Sequence, residues 1–142
     1  MGFQGPDDGT PFVYGAAGPT RGHVVYDPAH RIAFFEQGCC SASEVVAAAD
    51  VVPPPKHVVT NDLSGLSTVR GIRLGETPTA VMQIYGKSKM LTVTGHAGLQ
   101  MLAYTTWKPF KSVSTVASPC GQFQNFVFRQ ERLIYIRFGN GC

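Results

Sequence analysis

Charged residues are scarce in this chain of 142 residues: they make up 15% of it, against about 25% in ordinary globular proteins. The formal net charge is only +3 at pH 7, and the Lys and Arg residues are spread along the chain. This composition excludes a disordered, highly charged chain and lacks the clustered basic face of nucleic-acid-binding modules. We therefore expect no nucleic-acid partner; the alternative is a basic surface formed by Arg129, Arg132 and Arg137.

Long apolar runs are also missing. No segment approaches the roughly 20 consecutive apolar residues that a membrane-spanning helix needs, so no membrane span is expected. The first four residues lack the basic start and the apolar stretch of a signal peptide. Hydrophobic residues nevertheless make up 44% of the chain, which is enough to build a core in a domain of this length without a cofactor.

Motifs that specify a reaction or a metal site are missing as well. Tyr85–Ser88 is similar to the end of a phosphate-binding loop, but Val81 stands where that loop requires glycine. No pair at metal-ligand spacing exists among the four histidines, which are His23, His30, His57 and His96. The histidines His30 and His96 lie in expected turns and are interpreted as solvated surface residues.

These absences favour a non-enzymatic binding or structural protein with no cofactor and no metal. The alternative is a small enzyme whose site is assembled only in the fold, from Cys and His or from carboxylates. Cys40 with His23 is one such pair. Asp62, which precedes Leu-Ser-Gly, is interpreted as a capping or turn residue rather than as a catalytic acid.

The four cysteines are informative about redox setting. An even number of cysteines in a weakly charged chain is typical of disulfide-bonded periplasmic or secreted proteins. The segment 123–138 is predicted to be a β-hairpin centred on Glu131, and that register places Cys120 opposite Cys142. The Cβ atoms of opposed residues lie about 4.5–5.5 Å apart, close to disulfide reach. We predict a Cys120–Cys142 disulfide and leave the pairing of Cys39 and Cys40 open.

The hydrophobic pattern predicts one α+β domain over residues 1–142, a mainly antiparallel sheet with one or two short helices packed on it. The Gly- and Pro-rich residues 1–21 are expected to be an irregular lead-in, and residues 53–55 a rigid proline connector. A hairpin is predicted over residues 23–36, around the turn chemistry of Asp27-Pro28. Residues 41–49 have capping-box spacing but are assigned to a third strand. Further strands are expected at 90–94, 99–106, 123–129 and 133–138.

The clearest helix signal begins at Thr77. Threonine suits the N-cap, and Pro78 suits the first helical position. Gly86 is expected to end the helix in a left-handed conformation. Between them Val81, Ile84 and Tyr85 form an apolar stripe, which predicts a short helix docked on the sheet.

The stretch from Gly71 to Gly86 begins with the pattern Gly-Ile-x-Leu-Gly-x-Thr-Pro. A short predicted helix follows and ends in Tyr-Gly. This stretch resembles the repeat unit of the β-lactamase-inhibitor-protein and outer-membrane-assembly-lipoprotein group, over about the second half of the chain. The lipid-acceptor cysteine of the lipoproteins is missing here, and an additional amino-terminal β region is present. The chain as a whole looks like a bacterial exported protein. The resemblance implies an extracytoplasmic scaffold or binder and brings no catalytic residues.

A candidate binding site lies where aromatic and basic residues alternate. Exposed rings beside cations are common contact anchors, because a ring buries a large area at small entropic cost. We predict that a protein or a cell-envelope component binds at Trp107, Lys108, Phe110 and Lys111. The alternative interpretation packs Trp107 into the core.

The last hairpin carries apolar residues on both faces, so it is either central in the sheet or covered by a partner subunit. A homo-oligomer through this region is therefore also predicted. One face is expected to carry Phe126, Phe128, Ile134, Ile136 and Phe138. The other face is expected to carry Val127, Leu133 and Tyr135.

The hairpin register leads to a direct chemical test. Peptide mapping of the air-oxidised protein under non-reducing conditions is expected to yield a fragment that links Cys120 to Cys142. A Cys142→Ser variant serves as the control and should lose this fragment. Its absence from the unmodified protein would contradict both the disulfide and the oxidising compartment inferred from it.

Overall fold

The computed structural model describes residues 20–37, 43–51, 58–93, 96, 98–105, 108–109 and 121–141. These residues form nine strands and one helix. The strands are β1 (Thr20–Asp27), β2 (Ile32–Gln37), β3 (Ser43–Ala48), β4 (Val58–Thr60), β5 (Leu91–Thr92), β6 (Leu99–Thr105), β7 (Lys108–Pro109), β8 (Gly121–Arg129) and β9 (Arg132–Gly141). The helix is α1 (Pro78–Tyr85).

All nine strands belong to one sheet, in the order β4-β1-β2-β3-β9-β8-β6-β5, with β7 also paired to β6. The pairs are antiparallel except for β1 with β4. The predicted α+β class with a mainly antiparallel sheet is confirmed, and the described residues contain one short helix. Because β9 lies between β3 and β8, strands from both halves of the chain share one sheet.

The first three strands follow the sequence prediction closely. β1 and β2 form the expected hairpin, and the segment interpreted as a third strand is β3. β1 begins at Thr20, two residues inside the lead-in expected to be irregular, and β7 lies outside the strands that were predicted. Residues 1–19 and the proline connector at 53–55 lie outside the described residues.

The hairpin of β8 and β9 has the predicted register along most of its length. Gly121 pairs with Gly141 and Val127 with Tyr135, as expected for a hairpin centred on Glu131. The turn itself is different, because only Gln130 and Glu131 connect the strands, with φ of 49° and 61°. Two successive positive φ angles are typical of a type I′ turn, whose twist matches that of the strands.

A β-bulge reconciles this tight turn with the predicted register. Phe128 pairs with Leu133, whereas Val127 pairs with Tyr135, so Ile134 is the extra residue of β9. A bulge turns two consecutive side chains toward the same face. Ile134 and Tyr135 accordingly share one apolar cluster, and Leu133 belongs to the other. The predicted faces of Leu133 and Ile134 are therefore wrong, and the bulge is the reason.

Each face of the sheet carries an apolar cluster. The first-face cluster includes Tyr26, Phe35, Val46, Met101, Val127 and Tyr135. The second-face cluster includes Val81 and Tyr85 of α1 together with Tyr104, Phe126, Leu133 and Ile136. The last hairpin is thus central in the sheet, the first of the two predicted alternatives, and the homo-oligomer stays a prediction.

The helix α1 begins and ends at the predicted cap residues, but Gly86 has φ of 106° and ψ of 155° and not the left-handed helical conformation that was predicted. The Thr77 Oγ1 accepts a hydrogen bond from the Ala80 N–H at 3.3 Å. Pro78, Val81 and Tyr85 are buried, whereas Ile84 is 39% exposed. Ile84 was therefore wrongly assigned to the apolar stripe. Of the three residues predicted to form it, only Val81 and Tyr85 are buried.

Burial locks the carboxyl end of α1 onto the sheet. The Tyr104 hydroxyl donates to the Gly86 carbonyl at 2.7 Å, and burial raises the pKa of Tyr104 to about 12. The Phe126 ring lies 4.9 Å from that of Tyr85, between ring centroids. A tyrosine with this pKa stays protonated at any physiological pH, so the contact persists.

The segment 61–77 covers part of the second face and is tied to the central hairpin. The Gly75 N–H donates to the Leu133 carbonyl at 2.7 Å, and the Leu133 N–H donates to the Glu76 carbonyl at 2.8 Å. The bulged Ile134 offers its carbonyl to Ala49 N–H at 2.8 Å. The bulge therefore coincides with the point where two other segments dock on β9.

The part of the chain that the structure describes contains no helix of sufficient length and apolar character to cross a membrane. This agrees with the lack of a long apolar run in the sequence.

The strained turn leads to a stability test. Glu131→Gly removes the side chain from a left-handed position and should raise the free energy of unfolding by about 0.5–1 kcal/mol. Urea denaturation measures the change. Glu131→Ala loses the same carboxylate but keeps a Cβ, so it should show no such gain, and equal gains in both variants would point to charge instead of backbone strain.

Candidate functional site

The residues predicted to bind a partner fall mainly outside the described residues. Trp107, Phe110 and Lys111 lie outside the described residues. The same holds for all four cysteines, including Cys120 and Cys142. For Lys108 the structure describes the backbone only, which pairs with Thr105 as part of β7. The candidate binding site formed by aromatic and basic residues therefore remains a prediction, and so does the disulfide.

The three arginines considered as an alternative basic surface have different environments. Arg137 is only 1% exposed, and its guanidinium carbon lies 5.0 Å from the centroid of the Phe123 ring. Arg132 forms an ion pair with Asp50 at 2.7 Å. A buried arginine cannot contact a nucleic-acid backbone, so these residues do not form one exposed basic surface.

A polar cluster joins the β1–β2 turn to the residues after β4. The Asp27 Oδ1 accepts hydrogen bonds from the N–H groups of Ala29 and His30, at 3.0 and 3.1 Å. Its Oδ2 accepts from the Leu63 N–H at 2.8 Å and lies 2.7 Å from the His30 Nδ1. The turn chemistry predicted for Asp27 is confirmed, and Leu63 adds a link across 36 positions of sequence.

The same contacts keep Asp27 ionised. Hydrogen bonding from the Leu63 N–H, opposed by burial and helped by His30, lowers the pKa of Asp27 to about 2. An ionised carboxylate only accepts hydrogen bonds, so the His30 Nδ1 is the donor in this contact. The His30 side chain is half exposed.

Asp62 completes an open cleft of about 340 Å³ beside this pair. Ligand atoms of Asp27, His30 and Asp62 lie within 4.8 Å of one another. However, both oxygens of Asp27 already accept two hydrogen bonds each, and the Asp62 Oδ1 accepts from the N–H and Oγ of Ser64. Binding a metal would break these bonds, so we interpret the cluster as a structural clamp. The turn role predicted for Asp62 is confirmed.

The sequence reasoning missed the contact between Asp27 and His30, because it searched for histidine pairs and interpreted His30 as a solvated residue. The available signal was the Asp-x-x-His spacing within one turn. The pair has the orientation of a general base held by a carboxylate. Its wide, open cleft does not exclude water, which distinguishes it from the enclosed sites that such catalysis uses.

An apolar cavity lies on the second face, between the sheet and the segment 61–77. Its volume is about 80 Å³, and it opens to solvent. The sheet contributes Phe34, Ala47, Ile136 and Phe138 to its walls. The loop contributes Leu66 and Leu74, with Ser67 and Thr68 beside them.

The rim of this cavity is also apolar. Val45 lines the opening and is 36% exposed, and Val69 follows the lining residue Thr68 and is fully exposed. Exposed apolar side chains grouped around a cavity are typical of interaction sites, whereas isolated ones are ordinary. Sequence reasoning could not find this site, because its walls come from three strands and a loop that are distant in sequence.

Comparison of the chain with models of protein families, with curated proteins and with solved structures finds no match. The resemblance of Gly71–Gly86 to the inhibitor and lipoprotein group therefore remains a prediction. The geometry of the cavity and of the polar cluster carries the functional interpretation.

The clamp leads to a pH-dependent test. Because its pKa is lower in the folded state, Asp27 contributes stability above the unfolded pKa of about 3.9, and this contribution is lost as the pH falls toward 2. Asp27→Asn should therefore destabilise the protein at neutral pH, and the difference from the unmodified protein should shrink between pH 4 and pH 2.

Urea denaturation at several pH values measures this difference. Glu131→Gln, which removes an exposed carboxylate in a turn, is the control. This variant should lose stability between pH 4 and pH 2 as the unmodified protein does, because it keeps Asp27. A constant difference between Asp27→Asn and the unmodified protein across this pH range would contradict the role of the ionised carboxylate.

Proposed function

We propose that this chain is a non-enzymatic binding protein that recognises a segment of a protein partner by accepting one aliphatic side chain in the second-face cavity. The observation that carries the proposal is the open apolar cavity between the sheet and the segment 61–77, with the exposed Val45 among its lining residues. Interfaces concentrate their binding energy where an apolar anchor fills such a cavity.

The size of the cavity supports a side chain as its occupant. An apolar cavity of about 150 Å³ holds benzene, which corresponds to about 25 Å³ per carbon. The present 80 Å³ therefore fits three carbons, the isopropyl group of a valine or the branched end of a leucine. Pockets for cofactors and drug-sized molecules are larger, about 300–1,000 Å³.

The walls of the cavity are held in place before any partner arrives. Phe34 and Ala47 face each other across β2 and β3, and Leu74 is next to Gly75, which is hydrogen-bonded to Leu133. Binding to a formed cavity avoids the cost of ordering a loop. This supports recognition without a conformational change.

The predicted extracytoplasmic location belongs to the same proposal. The β8–β9 ladder extends to Gly121 and Gly141, which directly adjoin Cys120 and Cys142 in sequence. The predicted disulfide depends on this same register. This supports a disulfide and hence an oxidising compartment.

Selection from a library of displayed random peptides tests the proposal. The selected peptides should share one Val, Leu or Ile, and replacement of that residue by Ala should weaken binding by at least tenfold, because its burial is worth about 1.5–3 kcal/mol. Ser67→Leu places an apolar side chain at the cavity and should abolish binding.

Gln83→Leu is the matched control, since it makes the same kind of change at an exposed position of α1 and should bind the peptides normally. Fluorescence anisotropy of labelled peptides gives the dissociation constants. Peptides that bind Ser67→Leu as well as they bind the unmodified protein would refute the cavity as the binding site.

A further inference from the structure

We infer that the partner of this cavity is a second copy of the chain, with Val69 of each copy inserted into the cavity of the other. This inference rests on the function proposed above and names its partner. Val69 is fully exposed, although it is an apolar residue in an ordered part of the chain. It also lies next to the cavity wall, since Thr68 is one of the lining residues.

Val69 is presented on a rigid turn. The Gly71 N–H donates to the Thr68 carbonyl at 2.9 Å, and the Thr68 N–H donates to the Ile72 carbonyl at 2.8 Å. The Thr68 hydroxyl oxygen accepts from the Ile72 N–H and from the Tyr85 hydroxyl, both at 3.1 Å. A backbone held in this way does not have to be ordered on binding, which favours Val69 as an anchor.

The dimensions of the two features match. The valine side chain ends in three carbons and requires about 75 Å³ by the same comparison with benzene, and the cavity offers about 80 Å³. The anchor belongs to the same segment that forms one wall of the cavity, since the lining residues Leu66, Thr68 and Leu74 flank Val69 in sequence. In a two-fold dimer the same surface meets itself, so both insertions occur together.

The charges around this surface are complementary under the same symmetry. Arg70 follows the anchor, is exposed, and has its guanidinium carbon 4.8 Å from the centroid of the Tyr85 ring. Glu36 is exposed and pairs across strands with Val45, so it lies on the cavity side of the sheet. Opposite charges therefore stand beside the anchor and on the cavity side of the sheet, and they favour association of two copies through this surface.

Two variants separate the anchor from the cavity. Val69→Ala removes the anchor and keeps the cavity, whereas Ser67→Leu obstructs the cavity and keeps the anchor. Analytical ultracentrifugation of the full chain should show a concentration-dependent dimer for the unmodified protein. Each variant alone should dissociate at least tenfold more readily, as expected for loss of a buried aliphatic contact. Val59→Ala, at an exposed valine of β4, should dimerise normally.

A mixture of the two variants is the decisive sample. One anchor and one cavity remain intact in the mixed pair, so a heterodimer should form at concentrations at which each variant alone is monomeric. A strictly monomeric unmodified protein, or a dimer unaffected by Val69→Ala, would overturn the inference. If selected peptides still require the open cavity in that case, the proposed function stands; if Ser67→Leu affects neither peptides nor dimer, both fail.

Discussion

The central hairpin must bury apolar side chains on both faces of the sheet, and most of the structure depends on this constraint. A sheet covered on one face only would expose either Phe126 and Phe128 or Val127 and Tyr135, which are all nearly inaccessible. The second face is covered by α1 and by the segment 61–77. That segment is fastened to the hairpin at Leu133, beside the bulge that sets which side chains each face receives.

Local signals predicted the parts of this fold that depend on neighbouring residues. Thr77, Pro78 and Gly86 fix the ends of α1 through a cap, a preset φ and a positive φ, and all three act within a few residues. The bulge at Ile134 depends instead on a tight turn combined with packing on two faces, so strict alternation assigned Leu133 and Ile134 to the wrong sides. The exposure of Ile84 likewise depends on how α1 docks on the sheet, since Val81 and Tyr85 are buried there and Ile84 is not.

The candidate site depends on contacts that sequence spacing does not reveal. The Asp27 carboxylate reaches the Leu63 N–H, and this link fixes the entrance of the segment 61–77 much as the Leu133 contacts fix its exit. Between these two attachments the segment spans the second face. The cavity lies where this segment does not fill the space above Ala47, one of the lining residues. The effect of this small side chain becomes apparent only when the three strands and the segment 61–77 come together in the fold.

An empty cavity lowers stability and an exposed valine adds none, and neither is required by the fold. By the relation between cavity volume and stability, an empty 80 Å³ costs at most about 2 kcal/mol, less where solvent enters. Sequences selected for stability alone could fill such a space with a larger residue at position 47. Val69 on a turn closed by several hydrogen bonds is a second departure of the same kind. Insertion of Val69 into the cavity of a second copy fills the cavity and buries the valine at the same time. One interaction therefore accounts for both features.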